Sequence, residues 1–299
     1  MTRKRTQTES VPLSGPEAVA ERLADQDYVA DDGIVTSVYL AAALNKPLLV
    51  EGPAGVGKTE IAKSLAATLD TELIRLQCYE GLDAAQALYE WNYPRQLLEI
   101  RLQESGGGSA ADKAARIFGE DFLLERPLLK AIRAERPPVL LIDELDRADE
   151  AFESFLLEIL SDWQVSIPEL GTLRAAHPPH VVITGNRTRP LAEATRRRCL
   201  YLWIGYPDPA KEREIVTRKL PEIDADLATA ICDYLAKVRA ERLGKTPGVS
   251  ETLDWARALV ALGETDLHGD RVPDTLGALF KDPRDLEQMR ARLAEFLEH

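Results

Sequence analysis

Leu48, Leu49 and Val50 form a short apolar run that ends in Glu51 and breaks at once into Gly52-Pro53-Ala54-Gly55-Val56-Gly57-Lys58-Thr59. The glycine and Lys-Thr spacing fits G-x-x-x-x-G-K-[ST], the loop that joins a buried strand to a helix and cradles phosphates. Glycines let the backbone N–H groups turn inward as an anion nest at the N-terminus of the next helix, where the dipole favours negative charge. Gly52 to Thr59, with Glu60 behind them, are therefore the expected nucleotide-binding residues. Lys58 reaches the outer phosphates, and Thr59 offers a hydroxyl to a magnesium ion.

A second signature stands downstream. Val139 to Ile142 is fully apolar, as a central parallel strand buried on both faces should be, and it ends in Asp143-Glu144. An Asp at the end of such a strand holds magnesium, often through water, while a neighbouring Glu polarises the attacking water. Asp143 is thus the expected metal residue and Glu144 the catalytic one.

Composition limits the alternatives. The 299 residues, 45% hydrophobic and 29% charged, describe a globular chain with room for two domains. A formal charge of −13 and a pI near 4.9 argue against general nucleic-acid affinity, which depends on Lys and Arg meeting phosphates. Cys78, Cys199 and Cys232 are far apart, odd in number and lack C-x-x-C spacing, so free thiols in a reducing cytoplasm are expected. The apolar window Val38 to Val50 is interrupted by Asn45, Lys46 and Pro47 and falls short of the ~20 residues of a membrane span.

In order, residues 1–14 read as a loose tail and 15–206 as an α/β nucleotide-binding domain. Ser14 to Leu44 is helical in pattern, broken at Asp31-Asp32-Gly33, and Glu72 to Gln77 alternates as a second strand. An insertion at about 78–102 crowds Tyr79, Tyr89, Trp91 and Tyr93, which suit either core packing or a surface that grips a polypeptide. Gly106-Gly107-Gly108-Ser109 is a flexible break, and a helix is expected from about Phe122 to Glu135. Pro168 and Gly171 mark a hairpin at about 163–174. His177 and His180 are read as loop ends rather than metal ligands, for want of a nearby carboxylate or thiol. Val181 to Gly185 is a fourth strand, with Asn186 just beyond it, and Arg196-Arg197-Arg198 feeds a fifth from Cys199 to Ile204. Residues 207–299 are helical, opened by Asp208 as cap and Pro209 at the first helical position. Leu227, Ile231, Tyr234, Leu235 and Val238 form an apolar stripe, and a second helix starts after Gly248 with Ser250 as its expected cap.

Gly52 to Thr59, Leu141-Ile-Asp-Glu144, Asn186, Arg197-Arg198 and the helical tail together resemble the AAA+ ATPases over nearly the whole chain. The hairpin, the insertion, Thr184-Gly-Asn-Arg-Thr188 and Arg196-Arg-Arg-Cys-Leu-Tyr201 resemble the MoxR branch, and the phrasing is most similar to its CoxD-like group. The resemblance implies a P-loop NTPase core, a five-stranded parallel sheet between helices, followed by a small all-helical lid. It implies ATP and Mg²⁺ as cofactors, Glu144 as catalytic glutamate, Asn186 as sensor, and Arg198, with Arg197 as understudy, as an arginine finger. A solvated patch is the other reading of that triplet.

A finger acting on the neighbouring subunit's ATP implies a homo-oligomeric ring, usually a hexamer. The branch further implies a chaperone that remodels a partner through an adaptor with a von Willebrand factor A (VWA) domain. For the CoxD-like group the client is a metalloenzyme of the molybdenum hydroxylase or carbon monoxide dehydrogenase type. One departure stands out: where relatives often carry a lid arginine, Gly248-Val-Ser-Glu-Thr-Leu253 places Thr252, with Arg257 as a substitute. A binding switch with little hydrolysis is therefore the alternative expectation, and a DNA-remodelling motor a more distant one.

Overall fold

A computed structural model describes residues 14–103, 119–168 and 170–297. The expected tail before Ser14 and the Gly106–Ser109 break lie outside the described residues.

Five strands form one parallel sheet: β1 (Leu48–Glu51), β2 (Leu73–Gln77), β5 (Val139–Asp143), β8 (His180–Gly185) and β9 (Leu200–Trp203). Their order is β2-β5-β8-β1-β9, with Leu48 opposite Val182 and Leu200, and Val139 opposite Leu73 and His180. Side chains alternate faces along a strand, so a sheet buried on both sides must be apolar at every position. Here Leu49, Leu140, Ile142 and Ile183 join one core, with the helices Pro127–Arg133 and Glu150–Asp162. Leu48, Val50, Leu141 and Val182 join the other, against the helices Pro16–Ala24, Asp32–Ala43 and Lys58–Thr68. Each fully buried aliphatic side chain contributes roughly 1.5–3 kcal/mol.

This order sets the carboxyl ends of β5, β8 and β1 side by side, so Asp143, Asn186 and the Gly52 loop open on one crevice. Such a crevice, beyond the carboxyl ends of the strands, is where open α/β sheets bind ligands.

The helices Pro209–Lys219, Ala225–Arg239, Val249–Leu262 and Pro283–Leu297 make a C-terminal region with its own core around Leu227, Ile231, Trp255, Met289 and Phe296. Asp208 caps the first of these through the Lys211 N–H at 2.8 Å, with Pro209 in the first turn. Ser250 is not the cap of the Val249–Leu262 helix. That position belongs to Gly248, whose N–H donates to Glu251 Oε2 at 3.0 Å, because the glycine lies against another loop where a side chain would not fit.

Two short antiparallel pairs lie outside the main sheet. One is the expected hairpin, β6 (Gln164–Ile167) with β7 (Gly171–Arg174). The other joins β3 (Tyr89–Trp91) to β4 (Leu123–Glu125) and corrects the helix expected from about Phe122. The helix begins only at Pro127, because proline is favoured in a first turn and excluded from later ones. β4 thus lies beside β3 of the expected insertion. Its aromatics divide: Trp91 is buried with Tyr89 edge-on at 6.0 Å, while Tyr79 and Tyr93 are exposed. Leu97, Leu98 and Leu102, on the helix Tyr93–Gln103, are exposed as well.

Candidate nucleotide site

The helix Lys58–Thr68 opens directly from the glycine loop, and Gly55 and Gly57 hold φ of 77° and 92°, a region that favours glycine. Lys58 uses all three of its ammonium hydrogens. It donates to the Gly52 carbonyl at 2.8 Å, the Pro53 carbonyl at 2.6 Å and Asn186 Oδ1 at 2.7 Å. Burial draws its pKa down, opposed by Asp146, Asp143 and Glu144.

Asn186 also donates through Nδ2 to Glu144 Oε1 at 3.0 Å, so one amide bridges the lysine and the glutamate. Glu144 holds φ of 56°, on the order of 1 kcal/mol of strain for a residue with a Cβ. Thr184 steadies the turn. Its hydroxyl donates to Asp143 Oδ1 at 2.6 Å and accepts the Glu144 N–H at 2.9 Å. Gln77 Nε2 at 3.0 Å and Arg147 Nη1 at 3.1 Å hold Glu144 Oε2.

Thr59 Oγ1 lies 3.2 Å from Asp143 Oδ1. A hydroxyl beside a buried carboxylate, both hard oxygen donors, fits a magnesium ion whose remaining shell is water and phosphate. Among the described residues no group of three or more His, Cys, Asp or Glu could hold a metal ion.

The arginine triplet is not gathered into this site. Arg197 pairs with Glu193 on its own exposed helix, Glu193–Arg198, and Arg198 Nη1 donates to the Ala194 carbonyl at 3.3 Å. Arg196 is the one that turns inward, 3.4 Å from the buried Glu51 Oε2.

Beside the loop a cavity of about 600 Å³ is lined by Tyr28, Val56, Gly57, Glu60, Trp203 and Leu253 among others, with Arg257 at its edge. The C-terminal region closes one wall. The Ser250 N–H donates to the Gly55 carbonyl at 3.1 Å, and a Cβ on Gly248 would fall 2.7 Å from the Ala54 carbonyl oxygen. Lys211 donates to Asp31 Oδ2 at 2.7 Å across the same cavity. Of Gly52 to Glu60, Gly55, Val56, Gly57 and Glu60 line this cavity.

The model of the AAA domain, dynein-related subfamily, matches residues 47–199, just over half of the 299-residue chain. The chain belongs to this family. Protein NorQ of Paracoccus denitrificans is 26% identical over 223 residues, spanning 72% of this chain and 73% of that protein. An uncharacterized protein of Staphylococcus haemolyticus is 25% identical over 242 residues, spanning 79% and 83%. Among solved structures, the RuvB Holliday junction branch migration motor of Thermotoga maritima has a TM-score of 0.49 at 20% identity, covering 95% of this chain and 76% of that one.

Sequence reasoning passed over several residues of this AAA domain. Asp146 is one: its Oδ2 accepts the N–H groups of Asn186 at 3.0 Å and Thr188 at 2.8 Å, and so fixes the loop that aims Asn186. Its signal was present, a third acid in Asp143-Glu-Leu-Asp146. Thr184 opened the Thr184-Gly-Asn-Arg-Thr188 stretch without being given a role of its own, and Gln77 had no signal beyond its place at a strand end. Thr252 does not face the glycine loop. It is fully buried, 2.6 Å from Glu212 Oε1 and 3.1 Å from Arg239 Nη2, and Arg239 forks onto Glu212 while donating to the Pro247 carbonyl at 2.9 Å. Arg257, the suggested substitute, pairs with Asp254 at 3.2 Å. The cysteines are free, and burial pushes their thiols up to about 12.

Proposed function

We propose that this chain is an ATPase of the MoxR branch, closest to its CoxD-like group, that hydrolyses ATP in a ring to remodel or activate a partner protein. The observation that carries it is Asn186 spanning Lys58 and Glu144 beside Asp143 and Thr59. A γ-phosphate held by Lys58 would lie next to a carboxylate able to accept a proton from water, with Asn186 orienting both. Phosphoryl transfer depends chiefly on such positioning and on charge stabilisation. Magnesium, when bound by Thr59 and through water by Asp143, would neutralise phosphate charge.

In this reading residues 15–206 are the catalytic domain and 207–299 its lid. Arg198, or Arg197, completes the neighbouring subunit's site, which supports a hexameric ring and is consistent with both arginines standing off their own site. Exposed Tyr79, Tyr93, Leu97 and Leu98 support contact with a polypeptide. The partner would be a metalloenzyme of the molybdenum hydroxylase or carbon monoxide dehydrogenase type, reached through a VWA-domain adaptor, with the work done in the cytoplasm.

The test is to purify Glu144→Gln with and without ATP and measure particle mass and co-purifying proteins, alongside phosphate release by the wild type. A ring carrying a specific protein, with turnover that rises with protein concentration and collapses in Arg198→Ala, is the expected result. Turnover no higher than in Glu144→Gln at any concentration would sink the enzyme reading.

One observation favours a second reading, a switch that assembles on ATP with little hydrolysis: Thr252 is enclosed among Arg239 and Glu212, so the helix position discussed above offers no cation to a phosphate. An assembly that forms on ATP binding yet turns ATP over no faster than the Glu144→Gln variant would favour that reading.

A further inference from the structure

Asp143 has a partner that neither its motif nor its strand explains. Arg75 lies on β2, in register with Leu141 of β5, and Gln77 is in register with Asp143. In a strand i and i+2 share a face, so both side chains project on the same side of the sheet as Asp143, toward the helix that carries Thr59. Arg75 donates to Asp143 Oδ2 twice, through Nε at 3.0 Å and Nη2 at 2.6 Å. Oδ1 is taken by Thr184 and Thr59. The carboxylate side chain is 5% exposed, whereas the arginine, at 53%, reaches it from open solvent. Arg75 also donates to Gln77 Oε1, and Gln77 Nε2 donates to Glu144 Oε2.

A buried carboxylate facing a polyphosphate needs a positive charge, and that is what magnesium supplies. Here a guanidinium fixed in the chain already supplies one, with Nε and Nη2 both directed at Oδ2 in charge-assisted hydrogen bonds. Two cations at one carboxylate repel each other. We propose that Arg75 is a tethered counter-cation for Asp143 that lowers the site's dependence on magnesium, with Gln77 tying it to Glu144. This rests on the reading of the site as one for magnesium-bound ATP. It makes Arg75 a positioning residue that acts through Asp143.

The proposal implies opposite shifts in two quantities. Without Arg75, Asp143 attracts the metal more strongly, so the magnesium concentration at half-saturation falls. Metal-free ATP meets an uncompensated carboxylate, so its binding weakens. A loss of packing would weaken both.

The experiment titrates a fluorescent ATP analogue against the full chain, once with excess EDTA and once at fixed nucleotide across magnesium concentrations, for wild type, Arg75→Gln, Arg75→Met and Arg75→Lys. Thermal unfolding is followed for each. Arg75→Gln should bind metal-free nucleotide about tenfold more weakly and reach half-saturation at about tenfold less magnesium, the scale of one charge-assisted hydrogen bond. Arg75→Met, which keeps the apolar stem, gives the same pair of shifts if glutamine disturbs the strand. Arg75→Lys, which keeps the charge and loses the fork, should stay within about threefold of wild type. Neutral variants with unchanged magnesium dependence, or with both readouts weakened together, would overturn the proposal. A wild type that binds nucleotide neither with nor without magnesium would instead sink the ATP reading, and the proposal with it.

Discussion

The two ends of the nucleotide crevice are built differently. At the phosphate end every contact is a charge or a side-chain hydrogen bond: Lys58 to Asn186, Asn186 to Glu144, Thr59 and Thr184 to Asp143. At the other end the C-terminal region meets the glycine loop chiefly through backbone, with the Ser250 N–H on the Gly55 carbonyl at 3.1 Å, its hydroxyl at 3.5 Å, and Gly248 pressed against Ala54. The polar groups that hold this second contact lie behind it, in the buried cluster of Arg239, Glu212 and Thr252. Charge chemistry confines residue types to fixed places around a ligand, whereas a contact of shape can be carried by any backbone that is brought close and held there.

Substitutions at the two ends should fail in different ways. The largest effect belongs to Glu144→Gln, which removes the proposed base: phosphate release should fall about 10²–10⁴-fold. A nucleotide titration should find ATP affinity within about threefold of wild type. A parallel loss of affinity would mean that Glu144 binds rather than catalyses.

Arg239→Met comes next. It leaves Glu212, whose side chain is 1% exposed, buried without its partner and should cost about 3–5 kcal/mol in denaturant unfolding followed by tryptophan fluorescence. Its effect should appear as unfolding of the C-terminal helices. An unchanged transition would show that the cluster does not hold this region together.

Gly248→Ala should act more gently, since overpacking costs about 1–3 kcal/mol. The added methyl separates the C-terminal region from the glycine loop, so ATP affinity should drop by about tenfold while the melting of the C-terminal core stays near wild type. Undiminished affinity would mean that the wall does not sense the loop.

Thr252→Val is the smallest change. Losing its hydrogen bonds should cost about 1 kcal/mol of stability, with phosphate release within about twofold of wild type. A collapse of turnover would restore Thr252 to the phosphate end and erase the contrast between the two.

The phosphate end was legible because its chemistry is local in the chain. Gly52 to Thr59 specify a loop between a strand and a helix, and Val139 to Glu144 a buried strand tipped with acids; both are where those segments imply. The strands were readable as apolar runs separated by helices, and their union in one five-stranded parallel sheet was what the resemblance to AAA+ ATPases implied. Asp146 could have been read from the third acid of its motif. Arg75 and Gln77 could not, because their meaning depends on β2 lying beside β5, a neighbour far along the chain. The same holds for Arg196, whose bond to Glu51 spans a sequence separation of 145.

The C-terminal region shows the limit most clearly. Its helices were readable from stripes such as Leu227, Ile231 and Leu235, because periodicity is a local property. Ser250 was misread as a cap because serine favours that role in isolation. Gly248 took the position because the approach of Ala54 leaves no room for a Cβ, a constraint imposed by a loop nearly 200 residues away. By itself the sequence determined the elements, the phosphate loop and its acids, since spacing and polarity along the chain encode them. Only the tertiary structure decided which cation faces Asp143, where Thr252 turns and how the C-terminal helices meet the loop, because those depend on distances between segments that the order of residues does not contain.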